Sequence, residues 1–153
     1  MGQIDTKLAE LGITLPDAPA PAANYVPFVR SGNMLFISGQ VARDANGFIT
    51  GQLGKDTEVE AGYAAARNCG LALIAQARAA CGGDLDKVAR VVKLSGFVNC
   101  TADFTQHPAV INGASDLMVE VFGDIGRHAR AAVGSSSLPL GVAVEVEAVF
   151  ELA

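Results

Sequence analysis

Apolar residues recur along this chain with two different spacings, and the switches between them divide it into elements. Val59, Tyr63, Ala66, Gly70, Leu73, Ile74, Ala77 and Cys81 fall at helical intervals, which predicts a long helix over about 57–81. Thr57-Glu58-Val59-Glu60 reads as a capping box at its start, and Gly82-Gly83 as its stop. A second helical face, Phe104, Ile111, Ala114, Met118, Val121 and Phe122, predicts a helix over about 103–122 that Gly123 ends. Pro108 then belongs in its first turn or marks a break. Val142, Val144, Val146, Ala148, Phe150 and Leu152 alternate with period two instead, and the other face of that strand carries Glu145, Glu147 and Glu151. Val88 to Val98 is valine-rich and long enough for a central strand. Val26 to Arg30 and Met34 to Ser38 flank Ser31-Gly32-Asn33 as a hairpin. Pro27 puts the first of these strands at a sheet edge; the second, apolar on both faces, is expected inside the sheet, with Gly39-Gln40 ending it. Asp44 to Gly47 marks one more turn, before a short piece at Phe48-Ile49-Thr50.

The order is β-β-α-β-α-β-β without a repeat or linker, which predicts an α+β fold with two helices on one face of a mixed sheet. Ahead of it, residues 1–24 read as an N-terminal arm: an amphipathic piece from Thr6 to Leu11, then Pro16, Pro19 and Pro21, which forbid helix or central strand. All 153 residues are expected to form a single domain. The second face of the valine-rich sheet still needs a cover, which points to partner subunits.

Composition removes several functions. A net charge of -5, with eleven Lys and Arg that do not cluster, argues against nucleic-acid binding. Cys69, Cys81 and Cys100 form no CxxC and have no histidine at ligand spacing, so they are expected reduced, packed as small apolar groups, and not holding a metal. No basic-then-apolar leader and no bilayer-length apolar run are present, which predicts a cytoplasmic protein outside the membrane.

The chemistry gathers around one residue. Arg130 sits among Ala129, Ala131, Ala132 and Val133, and its guanidinium cannot lose its charge, so it must find an anion or stay wet. That anion is either a ligand carboxylate or Glu145 or Glu147 across a hairpin. His107 and His128 could be set beside Ser135 to Ser137 and Asp124 as a triad, yet no G-x-S-x-G pattern supports one.

Four passages carry a resemblance: Tyr25-Val26 with Gly32-Asn33-Met34 through Ser38-Gly39-Gln40; Val92 to Val98; Ile111-Asn112; and Ala129-Arg130 through Leu138-Pro139 to Glu145-Val146-Glu147-Ala148. In that order the chain resembles the Rid or YjgF-like reactive intermediate deaminases, whose older label is L-PSP endoribonuclease, and most closely their longer branch with an N-terminal arm. The resemblance implies a chorismate-mutase-like fold and a homotrimer with sites in the clefts between subunits. It implies hydrolysis of small imines and enamines such as 2-aminoacrylate to a 2-oxo acid and ammonia, without cofactor or metal. It places Arg130 at the carboxylate-binding position, with Tyr25, Ser38, Asn112 and Glu145 lining the site. Glu145 is the candidate for placing water, because a carboxylate near an apolar wall can shuttle a proton. Two departures stand out: a cysteine common in the family is Ala132 here, and the second helix carries about four extra residues before Asn112, nearly one turn. The alternatives are a non-catalytic small-molecule binding or regulatory protein on the same fold, and the endoribonuclease of the older label, against which the acidic composition counts.

Overall fold

The computed structural model describes residues 1–21 and 23–153. It contains α1 (Gln3–Glu10), β1 (Phe28–Ser31), β2 (Met34–Val41), β3 (Arg43–Asp44), β4 (Gly47–Phe48), α2 (Val59–Ala80), β5 (Val88–Asn99), α3 (His107–Phe122), β6 (Ala129–Ser135) and β7 (Val144–Leu152). The five long strands form one sheet in the order β1-β2-β7-β5-β6, and β3 and β4 pair separately. Only β5 and β6 run parallel, because α3 carries the chain back between them; the other neighbours are antiparallel. This is the mixed sheet that the residue pattern predicts.

Both long helices cover the same face. Leu35, Leu94, Val98, Val146 and Phe150 point from the strands into a core shared with Leu73, Ile74, Ile111, Leu117 and Met118. The helices approach each other through missing side chains: a Cβ at Gly113 would collide with the carbonyl oxygen of Tyr63, and one at Gly70 would lie 2.9 Å from Leu117 Cδ2. Cys69, Cys81 and Cys100 are free and buried, and burial pushes the thiols of Cys69 and Cys81 up. The other face of the sheet stays open. Val29, Phe36 and Val133 are each about half exposed there, in register with Phe36, Val149 and Phe97 respectively.

Several boundaries differ from the residue pattern. β2 does not stop at Gly39-Gln40; its register shifts between Ile37 and Gln40, and pairing with β7 continues to Val41. The capping box does not form. Thr57 gives its hydroxyl proton to Asp56 Oδ1 at 3.0 Å, and Glu58 takes the N-cap position without a side-chain bond. At the other end the prediction holds: Gly82 and Gly83, both at positive φ, return hydrogen bonds to Ala79 and Arg78. α3 begins at His107 rather than near 103, with Pro108 in its first turn, where a missing N–H costs nothing. β7 begins at Val144, and Val142 makes only an isolated bridge to Thr50.

The arm is part of the fold. Leu8 and Leu15 enter the core, and Gln76 donates from inside α2 to the Pro19 carbonyl at 2.6 Å. Asp86 accepts the N–H groups of Gln3 and Ile4 at 2.8 and 2.9 Å, which anchors the start of α1. Those two amides, Ile4 first, hold the Asp86 carboxyl below its ordinary value. A group depressed on folding contributes stability above its unfolded pKa and loses it as pH falls through the folded one. Acidification below the carboxylate range is therefore expected to release α1 before the sheet melts, read as faster amide exchange at Gln3 and Ile4 with β5 amides still protected.

Candidate functional site

Arg130 lies on the edge strand β6, level with Leu94 of β5 and through it with Ala148 of β7. Its side chain points toward α3. There one amino group, Nη1, donates to Asn112 Oδ1 at 2.8 Å and to Ser115 Oγ at 3.2 Å. Asn112 and Ser115 are three residues apart and so share a helix face. Ser115 also meets His128 Nε2 at 2.8 Å, and His128 Nδ1 meets the Gly126 carbonyl at 2.6 Å. Gly126 makes this possible, because a Cβ there would strike the Met118 carbonyl and push the turn off α3.

No carboxylate lies within 4 Å of Arg130 among the described residues, whose ion pairs are Lys7–Glu10, Arg67–Glu120 and Arg127–Asp124. Both Nη1 hydrogens are spent on neutral oxygens, while Nε and Nη2 make no hydrogen bond to the described residues. A planar cation held this way presents one edge to a carboxylate, which can accept two parallel bonds. The structural ion pair with Glu145 or Glu147 is excluded within one chain: β6 and β7 form no hairpin, because β5 lies between them.

Glu145 belongs to a second cluster. It sits on β7 between the buried Val144 and Val146, so its side chain takes the open face, level with Phe97 and Val41. Its carboxyl rests on Gly39, where a Cβ would lie 3.0 Å from Glu145 Cδ. Burial first, and the nearby Glu147 second, push that carboxyl above its ordinary pKa. Ser38 donates its hydroxyl to the Val26 carbonyl at 2.7 Å, and its N–H goes to the Pro27 carbonyl. Ser38 thus fixes the course of the segment carrying Tyr25, which is about half exposed.

The five residues singled out in the sequence therefore form two groups: Arg130 with Asn112, and Glu145 with Ser38 and the Tyr25 segment. Glu145 and Arg130 stand two strands apart and three residues along. At about 3.3 Å per residue and 4.8 Å per strand, their Cα atoms are roughly 14 Å apart, and their side chains leave opposite faces of the sheet. Ser115 and its bond to His128 escaped the sequence reading; the signal was the i, i+3 spacing of Asn112 and Ser115. The triad reading fails, since His107 meets Cys100 Sγ at 3.4 Å and Asp124 pairs with Arg127.

Arg130 opens into a shallow cleft of about 300 Å³ that it shares with Ser115, Asp116, Val119, Arg127 and His128. A wider cleft of about 540 Å³, beside Thr50, Gln52, Asp56, Asn99, Ser136 and Ser137, contains none of the five residues. Its size does not make it the site, because Arg130 lies elsewhere. Among the described residues no three His, Cys, Asp or Glu side chains gather as a metal would require, and no helix is long and apolar enough to cross a membrane.

Residues 5–152 match the protein family described as "YjgF/chorismate_mutase-like, putative endoribonuclease". Over 153 residues the chain is 54% identical to Protein TCP17 of Trypanosoma cruzi, covering 99% of this chain and 95% of that one. The fold superposes on that of Atu1372, a protein of unknown function from Agrobacterium tumefaciens, with a TM-score of 0.91, 47% identity and coverage of 98% and 92%. RidA from the Antarctic bacterium Psychrobacter sp. PAMC 21119 is similar at a TM-score of 0.59, with 29% identity and coverage of 89% and 94%.

Proposed function

The chain belongs to the YjgF/chorismate-mutase-like family, and from that premise we propose that it hydrolyses small carboxylate-bearing imines and enamines to 2-oxo acids and ammonia. The observation that carries the reading is Arg130, a part-buried guanidinium cradled by neutral oxygens, with one edge left for an anion. Its two clusters lie on opposite faces and cannot serve one small ligand within a chain. The active unit is then an oligomer, a homotrimer in this reading, in which the open apolar face of one subunit brings Glu145 to the Arg130 edge of the next. Val29, Phe36 and Val133 suit such a contact, since exposed apolar patches of this kind mark interfaces.

In the reaction, Arg130 holds the substrate carboxylate through Nε and Nη2. Glu145 takes a proton from water as the water oxygen bonds to the imine carbon and the C=N pair moves to nitrogen. The same proton is returned to the nitrogen, which gives a carbinolamine; the carboxylate then carries the proton of its new hydroxyl to the nitrogen as the C–N bond breaks and the carbonyl forms, and ammonia leaves. An enamine first accepts a proton on its terminal carbon and gives one up from nitrogen to become the imine. A carboxyl raised by burial is suited to both halves of that transfer. Asn112 acts on the substrate through Arg130, and Tyr25, on the segment that Ser38 anchors, closes the cleft.

The test supplies 2-aminoacrylate from a pyridoxal-phosphate dehydratase and follows 2-oxo acid release. The protein is expected to accelerate release, and Glu145→Gln to lower kcat by about 100-fold or more with KM little changed. No acceleration by the unaltered protein would overturn the reading for that substrate, and tight binding of 2-oxo acids without turnover would assign a sensing role instead.

A further inference from the structure

Ser115 and His128 stand behind Arg130 in an order of donors and acceptors that their neighbours dictate. The Gly126 carbonyl can only accept, so His128 Nδ1 carries a proton and donates to it. Nε2 of the neutral ring is then an acceptor and takes the Ser115 hydroxyl proton. That leaves the Ser115 oxygen its lone pairs for Arg130 Nη1, whose other hydrogen goes to Asn112. We propose that Ser115 and His128 are positioning residues for Arg130, fixing the guanidinium plane so that its Nε and Nη2 edge forms a ready-made fork for a carboxylate.

The acidic residues nearby sharpen the point. Asp116 accepts the Tyr63 hydroxyl at 2.7 Å, Glu120 pairs with Arg67 at 3.1 Å, and Asp124 with Arg127 at 3.6 Å. Every acidic side chain of α3 and the turn after it is engaged away from Arg130. The arginine is oriented by dipoles rather than neutralised by an anion, and its full charge remains for a ligand. Orientation set before binding removes a cost that the ligand would otherwise meet. This inference rests on the carboxylate-anchoring role given to Arg130 above.

Binding of 2-oxobutyrate by calorimetry tests it, with Ser115→Ala, Ser115→Thr and the unaltered protein side by side. Ser115→Ala is expected to bind about tenfold more weakly, and Ser115→Thr, which keeps the hydroxyl, to come within about threefold of the original. In turnover the alanine variant is expected to raise KM with kcat within about twofold, the mark of lost ground-state positioning. Ring nitrogen-15 shifts are expected to show His128 as the Nδ1–H tautomer. Full affinity in Ser115→Ala, or an Nε2–H tautomer, would overturn the relay alone. Failure of the unaltered protein to bind 2-oxobutyrate would overturn the carboxylate anchor and the relay with it.

Discussion

Arg130→Ala is expected to lower kcat/KM for 2-aminoacrylate by roughly 100- to 10,000-fold. Two charge-assisted hydrogen bonds to the substrate carboxylate are lost, each contributing about 1.5–3 kcal/mol where water is excluded, and each 1.4 kcal/mol is about tenfold in rate. Arg130→Lys is expected to recover little. An ammonium keeps the charge but cannot satisfy Asn112 and Ser115 on one side while presenting a fork on the other. The dehydratase-coupled assay measures both variants, and rates equal to those of the unaltered protein would remove Arg130 from the site.

Gly113→Ala is expected to cost about 3 kcal/mol of unfolding free energy, at the upper end of overpacking penalties. The new methyl would meet backbone, the Tyr63 carbonyl with Arg67 N at 3.0 Å, so no side chain can swing aside. The two long helices must separate, and Asn112 and Ser115, on either side of residue 113, move with α3. Urea denaturation is expected to show a lower midpoint, together with weaker 2-oxobutyrate binding in the folded protein. An unchanged midpoint would mean that the helices have slack which their contact does not show.

Residue spacing revealed which elements exist more readily than it revealed how they meet. Period-two alternation in Val144 to Leu152 shows that Glu145 and the valines face opposite sides, and the α2 and α3 faces are equally plain. Strand order is not local information. The chain passes from Arg130 to Glu145 through a short connection that looks like a hairpin, yet the parallel pairing of β5 with β6 inserts a strand between them. The ion-pair reading of Arg130 failed for that reason. Thr57 has the right neighbours for a capping box, but Asp56 beside it competes for the hydroxyl. The Gly39 bulge, by contrast, shows only once Glu145 is placed against it.

The candidate site divides along the same line. Residue types alone picked out Arg130 as a charge needing an anion, and the family resemblance supplied Asn112, Tyr25, Ser38 and Glu145. Neither could supply Ser115 and His128, whose bond joins α3 to the entrance of β6 and depends on Gly126, which brings those segments into contact.

A site completed between subunits makes one demand that a site within a chain does not. Arg130→Ala and Glu145→Gln subunits, each inactive alone, are unfolded together, mixed in equal amounts and reassembled. One interface in about four then joins an intact Arg130 edge to an intact Glu145 wall, by random pairing in a closed oligomer. The mixture is expected to recover about a quarter of the original 2-aminoacrylate hydrolysis; a mixture as inactive as its two components would contradict the account.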